Sequence, residues 1–310
     1  MPKKISDFIL SVHDASMHLS PMDFHRWTLK EIRRYIDFDF AIWGAGDGQS
    51  RQLSQATILD QTDTLFETWE AVKEEDPFAN LVIGNTGKTW SIEQLPDFHE
   101  SRAYHEHWGR YYARQMISTM EVDDRTGLHI FVTLAREQQE SIFTPQHMQM
   151  KSLITQHLFL AARHNDMHSL RTHQAPAALV DRHGILHAAL PNMTVLLADE
   201  WGGAATRRLP ENVTYALWRR GHYQNGRHLA LNAERVGQRL LIRAALVPTA
   251  VLSEREKEVA WIYAAGSSHK EVAKTLGISP TTVRTHLARV YQKLGISDKG
   301  SLAIWLKDHV

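Results

Sequence analysis

Residues 249–310 carry three helix starts of one kind, each followed by a glycine stop. The Ser253 hydroxyl can cap a first helix while Glu256, three residues on, completes a capping box, and Gly266 ends it. Ser268 with Glu271 repeats the box for a second helix that stops at Gly277, and Ser279 followed by Pro280 opens a third that stops at Gly295. Each helix has one apolar face: Val259 and Ile262, then Val272 and Leu276, then Val283, Leu287, Val290 and Leu294. About three residues join the second helix to the third, and Gly277 among them permits a left-handed backbone, which gives the sharp crossing of a helix-turn-helix.

The stripe on the third helix fixes what faces outward. Thr281, Arg284, Thr285, Ala288 and Gln292 lie opposite the core, flanked by Thr282, His286, Arg289 and Lys293, with no acid among them. A helix that reads DNA needs donors for base edges, small residues that let its backbone approach the groove, and flanking donors for phosphates. Arg284 can take guanine O6 and N7 bidentately, and the Thr285 methyl can meet a thymine methyl. Ser279, Thr281 and Thr282 stand at the positive helix end, which suits phosphate oxygens. The competing reading is a solvated face on a small bundle.

From Leu252 to Ser297 the sequence resembles the LuxR-type (GerE-like) helix-turn-helix, with Glu256, Val259, Gly266, Glu271, Val272, Ala273, Ser279, Val283, Leu287, Lys293 and Gly295 at that family's pattern positions. The resemblance implies a four-helix domain whose third helix enters the major groove, with Arg284, Thr285 and Ala288 facing bases and Lys293 on the phosphate side. Ala288 departs from members that carry a long basic residue there, which thins readout at that position. The last helix, SLAIWLKDHV, forms the DNA-bound dimer contact in the family and makes Leu302 and Trp305 dimerisation candidates. Packing of Trp305 on its own domain is the alternative.

Charge points the same way. Lys plus Arg and Asp plus Glu total 35 each, yet residues 1–175 hold 17 against 24, whereas residues 176–248 hold 9 against 5 and residues 249–310 hold 9 against 6. An acidic front joined to a basic end fits a reader of polyanions. A hydrophobic fraction of 43% over 310 residues is that of a globular chain with two or three domains. The absence of cysteine excludes disulfides, thiolate metal sites and a cysteine nucleophile. No apolar run reaches the roughly 18–20 residues of a membrane span, and the start is too short for a signal peptide, so a cytoplasmic location is expected.

Upstream, two helices are expected first, the second capped by Ser20 with Pro21 in its first turn. Residues 38–59 and 115–136 each read as a hairpin, and a long helix starts near Thr144. A linker is expected at 166–176. Beyond it come a strand pair around Asp181–Gly184, two short helices and a second antiparallel pair that Pro248 ends. The expected class is α+β: a mixed α/β sensor domain over 1–165, similar to GAF-like or autoinducer-binding modules; a small PAS-like unit over 177–248; and the all-α LuxR-type domain over 249–310. The Asp123-Asp124 pair falls in a hairpin turn, which argues against a phosphoacceptor receiver domain.

The front domain is rich in aromatics, as ligand pockets are. In autoinducer-binding members of the family a Trp, a Tyr, an Asp-Pro and a later Trp line the pocket. Asp76-Pro77 and Trp90 resemble the latter half of that pattern, but Lys73 stands where the tyrosine after Trp69 is expected. The ligand-contact candidates are Asp76, Trp90, Trp69, Trp43, Tyr104 and Trp108, each alternatively a core residue. Asp76 either receives a ligand N–H or caps the helix before Pro77.

Enzyme signatures fail. GNTGKT at 84–89 has two residues where a phosphate loop needs four, and no nucleophile elbow or His-Glu-x-x-His occurs. His157, His164 and His168 lack carboxylates at metal-site spacing and read as surface or interface residues of a long helix, with a pH-sensitive dimer as the sharper alternative. The expectation is a non-enzymatic regulator without cofactor, metal or catalytic residue, which binds double-stranded DNA as a homodimer, answers a small molecule and has RNA polymerase as a further partner. The alternative gives the front domains to a protein partner or to constitutive dimerisation, with no ligand.

Overall fold

The computed structural model describes residues 2–171, 173, 175–224, 229–246, 252–294 and 296–308. The stop signals expected at Pro248 and Gly295 lie outside them. Helices α1 (Pro2–Ala15) and α2 (Pro21–Ile32) precede the hairpin β1 (Phe40–Gly46) and β2 (Leu53–Leu59). Short helices α3 (Leu65–Trp69) and α4 (Pro77–Gly84), strand β3 (Thr89–Ser91) and helix α5 (Arg102–Glu106) lead to the hairpin β4 (Gln115–Val122) and β5 (His129–Arg136). The sheet is antiparallel in order β2-β1-β5-β4-β3. Both faces are covered. Ala41, Trp43, Val132 and Leu134 meet α1, α2 and the long helix α6 (Pro145–Arg171), while Phe40, Ile42, Met116 and Met120 meet α3–α5. The period-2 alternation of β1, β4 and β5 thus feeds two separate cores.

A second antiparallel sheet follows, built from β6 (Ala177–Val180), β7 (Leu186–Ala189), β8 (His222–Tyr223), β9 (Leu229–Val236) and β10 (Arg239–Leu246) in order β7-β6-β10-β9-β8. Helices α7 (Pro191–Trp201) and α8 (Glu211–Arg220) cover one face through Met193, Leu197, Val213 and Leu217. The last turns of α6 cover the other, where Leu170 packs with Ala177, Leu179, Ala188 and Leu241. The expected linker is therefore helical as far as Arg171. The apolar period fades near His164 because α6 changes partner there, from the first sheet to the second.

Asp166 of α6 fixes the junction: Arg239 of β10 donates to both its oxygens at 2.8 Å. Gln238 Oε1 accepts the Ala56 amide at 3.1 Å, and Arg182 Nη2 donates to the Leu53 carbonyl at 3.2 Å, both against the edge strand β2. The chain ends in a bundle of α9 (Glu254–Ala264), α10 (His269–Leu276), α11 (Pro280–Leu294) and α12 (Lys299–Asp308) around Val259, Val272, Val283, Leu287 and Leu302. The architecture is the mixed α/β one expected, with two antiparallel sheets and a helical C-terminal region.

Candidate nucleic-acid interface and ligand cavity

Between the first sheet and α3–α5 lies a cavity of about 70 Å³, lined by Phe66, Trp69, Phe78, Val82, Met120 and Phe131. Its walls are almost wholly apolar. Gly44 is what lets the Phe131 ring lie here, since a Cβ at that position would stand 2.3 Å from Phe131 Cζ. Ligand pockets run to about 300–1,000 Å³, so a molecule of ordinary metabolite size enters only if the walls move. Arg51, on the turn between β1 and β2, lines one side and reaches the Lys73 carbonyl and Asn80 Oδ1, tying that turn to α4. His129 stands beside it; burial lowers its pKa, and Asp47 opposes the shift.

Asp76 is fully enclosed and has all its acceptor positions in use. Oδ1 takes the Phe78 and Ala79 amides at 2.9 and 3.1 Å and so caps α4, while Oδ2 takes Trp69 Nε1 at 3.0 Å and Trp108 Nε1 at 2.8 Å. The helix-cap reading is the one the geometry shows, and in this conformation no lone pair waits for a ligand N–H. Three candidates, Asp76, Trp69 and Trp108, meet at the cavity wall. The other three do not. Trp43 points to the opposite face of the sheet and stacks on His25, with ring centres 4.3 Å apart, because its neighbours Phe40 and Ile42 take the cavity side by strand alternation. Trp90 donates to the Asn85 carbonyl at 2.8 Å, and Tyr104 packs against Phe98 and His99. Sequence reading missed Met120 and Phe131, which the period-2 pattern of β4 and β5 places on this side.

At the other end of the chain the predicted serine caps and the Gly277 turn are present among the described residues. Glu256 Oε2 accepts the Ser253 amide at 2.7 Å and Glu271 Oε2 the Ser268 amide at 2.6 Å, with the reciprocal serine caps in place. Gly277 has φ 65°, and Arg255 Nη2 donates at 2.7 Å to the Leu276 carbonyl at the end of α10. Ser279 Oγ accepts the Thr282 amide at 3.1 Å at the start of α11. Thr281, Thr282, Arg284, Thr285, Ala288 and Arg289 are all exposed, and neither arginine is ion-paired among the described residues. Residues 250–306 match the family described as bacterial regulatory proteins, luxR family.

The C-terminal unit is a LuxR-family domain. Over 74 residues the chain is 45% identical to the transcriptional regulatory protein TdiR of Thauera aromatica, a match that spans 24% of this chain and 33% of that one. Over 61 residues it is 46% identical to the probable transcriptional regulatory protein NarL of Mycobacterium tuberculosis, spanning 19% and 28%. The chain thus spans a third or less of the length of these relatives. Escherichia coli SdiA aligns over 98% of this chain and 97% of its own at 11% identity with a TM-score of 0.40, a distant likeness.

Two expectations within the LuxR-family domain change. Lys293 is exposed but held by its own domain: its Nζ lies 2.7 Å from Glu256 Oε2 on α9, which ties the end of α11 to the capping box. Leu302 is fully buried in the core of its own bundle and offers no dimer contact as placed, whereas Trp305 is half-buried and packs against the same core. On α12 the exposed apolar residue is instead Ile304. Among the described residues no helix is long and apolar enough to cross a membrane, and no group of His, Asp and Glu is arranged to hold a metal.

Proposed function

We propose that this chain is a homodimeric, DNA-binding transcriptional regulator in which units 1–165 and 177–248 sense a signal and the LuxR-family domain at 249–310 reads a two-fold symmetric operator. The observation that carries this is the exposed, acid-free face of α11 on a capped helix-turn-helix. Arg284, Thr285 and Ala288 face base edges, Ser279, Thr281, Thr282 and Arg289 hold phosphates, and Lys293 serves by positioning α11. For the dimer, Leu153 and Leu160 lie two turns apart on one face of α6 and are exposed, and Leu10 on the neighbouring α1 is 68% exposed. Selection of bound sites from random duplexes tests the reading: an inverted repeat with half-sites about one helical turn apart is expected, and recovery of no shared sequence would refute it.

For the signal, the apolar walls at 66–82 and 120–131 support a small apolar molecule, which shifts the dimer by the difference in its affinity for the two states. The saturated Asp76 and the small volume favour a second reading, in which a protein partner controls a front domain that holds no ligand. Native mass spectrometry of gently purified protein separates them, since a retained small molecule adds mass and a partner-controlled domain adds none.

A further inference from the structure

We propose that the cleft between the two front domains is a second binding site, for a small planar ring system that carries an anionic group. The cleft has two lobes of about 880 and 720 Å³ that share Gln52, Arg182, His183 and Trp218. Each lobe is of the size small-molecule sites have; the wider one shares Leu53 and Phe66 with the wall of the apolar cavity, and the narrower one shares no lining residue with it.

One turn assembles the recognition groups. Asp181 is buried and accepts the His183 and Ile185 amides at 2.8 and 3.0 Å and His187 Nε2 at 3.1 Å, so the turn between β6 and β7 is locked. Its three successive residues then hold the site. The Asp181 carbonyl accepts Trp218 Nε1 at 3.1 Å, which fixes the indole and spends its only polar atom, leaving the ring to offer a stacking surface. Arg182 belongs to the turn, and its Nη2 reaches across to the Leu53 carbonyl. The His183 carbonyl takes Arg208 Nε at 3.1 Å, which orients that guanidinium and leaves its two terminal nitrogens without a protein partner among the described residues.

The charge pattern selects the ligand. Arg182, Arg208 and Arg235 border the cleft, Arg235 sits 5.4 Å from the Trp218 ring centre, and none of the three forms an ion pair among the described residues. The carboxylates Asp63, Glu67 and Glu70 border the wider lobe, whereas Glu211 is the one carboxylate on the narrower lobe, so the anion belongs in the narrower one. There a phosphate or carboxylate meets the free edge of Arg208 beside Arg182 while its ring lies against Trp218 and Tyr215.

Isothermal titration of the full chain with adenosine 5′-monophosphate and, separately, with indole-3-acetate tests this. At least one is expected to bind with a Kd below about 1 mM. Binding of the nucleotide alone assigns the anion as phosphate, and of the acid alone as carboxylate. Because the Arg208 side chain is exposed, Arg208→Ala keeps the fold and weakens binding roughly tenfold or more, and Arg182→Ala does the same. Arg220→Ala, an equal charge change on α8 outside the cleft, leaves the affinity unchanged. Absence of binding by both probes at about 5 mM, or wild-type affinity in Arg208→Ala and Arg182→Ala, overturns the proposal.

Discussion

Lys293 Nζ and Glu256 Oε2 stand 2.7 Å apart, and the same oxygen accepts the Ser253 amide at 2.7 Å. Burial alone would raise the Glu256 pKa; the bonds from Lys293 and Ser253 outweigh it and hold the carboxyl below its ordinary range. Lys293 therefore braces α11 on α9. Lys293→Ala is expected to lower the stability of the chain by about 1 kcal/mol, a figure that allows for the solvent screening of a lysine that is partly exposed. It should weaken all duplexes alike without changing the salt slope of binding. A slope smaller by about one unit would return Lys293 to the phosphates.

Asp76→Asn replaces a carboxylate that accepts four donors with an amide that has a single acceptor oxygen. One NH₂ must then face donors that it cannot satisfy. A loss of about 2–4 kcal/mol in urea unfolding is expected, with changed fluorescence from Trp69 and Trp108. A cost under about 0.5 kcal/mol would show that the two indoles find other acceptors.

What the sequence made legible was local. The Ser253–Glu256 and Ser268–Glu271 boxes, Gly277 and the α11 stripe act within a few residues, so residue order alone exposes them. The cavity was half legible: Asp76, Trp69 and Trp108 were among its candidates, but which tryptophans converge depends on contacts 7 and 32 residues apart. Trp43 was misplaced because aromatic content says nothing about which face of a strand a ring takes. The end of α6 looked like a linker because its apolar residues serve two sheets in turn. Lys293 could not be placed from its own helix, because Glu256 lies 37 residues before it.

His25 and His107 make the fold acid-sensitive. Burial is the larger cause in both, with Arg239 acting next on His25 and Arg110 on His107, and the pKa values fall to about 4 and about 3 from 6.5. Between each folded value and 6.5 the unfolded chain binds more protons, so stability falls as pH drops through that window. His25 alone accounts for about 3 kcal/mol, lost progressively below pH 6.5 and wholly by about pH 4. Urea midpoints measured from pH 7 to 4.5 should decline, and the decline should shrink in His25→Phe, which keeps a ring on Trp43 but cannot titrate. An equal slope in that variant would remove His25 from the account.

Gly44→Ala tests the packing of the cavity wall. The added methyl would overlap the Phe131 ring, which is half-buried and must swing aside. The expected cost is about 1–3 kcal/mol. Gly44→Ala combined with Phe131→Leu should recover part of it, because the shorter side chain vacates the contested space. Additive losses in the double variant would mean that the two positions do not share that space.

Arg284 and Arg289 separate base reading from backbone binding on one helix. Both are exposed, and neither is ion-paired among the described residues, so their removal leaves the bundle core of Val283, Leu287 and Val290 untouched. Arg284→Ala should weaken the selected operator by about 1–3 kcal/mol and flatten the preference at one position in each half-site. Arg289→Ala should weaken matched and mismatched duplexes alike and reduce the salt slope by about one unit. Titrations of both variants against the operator, a single-position mismatch and a scrambled duplex at several salt concentrations check this. A uniform loss for Arg284→Ala would show that its guanidinium meets phosphate, and the reading of bases would then fall to Thr285 and its neighbours.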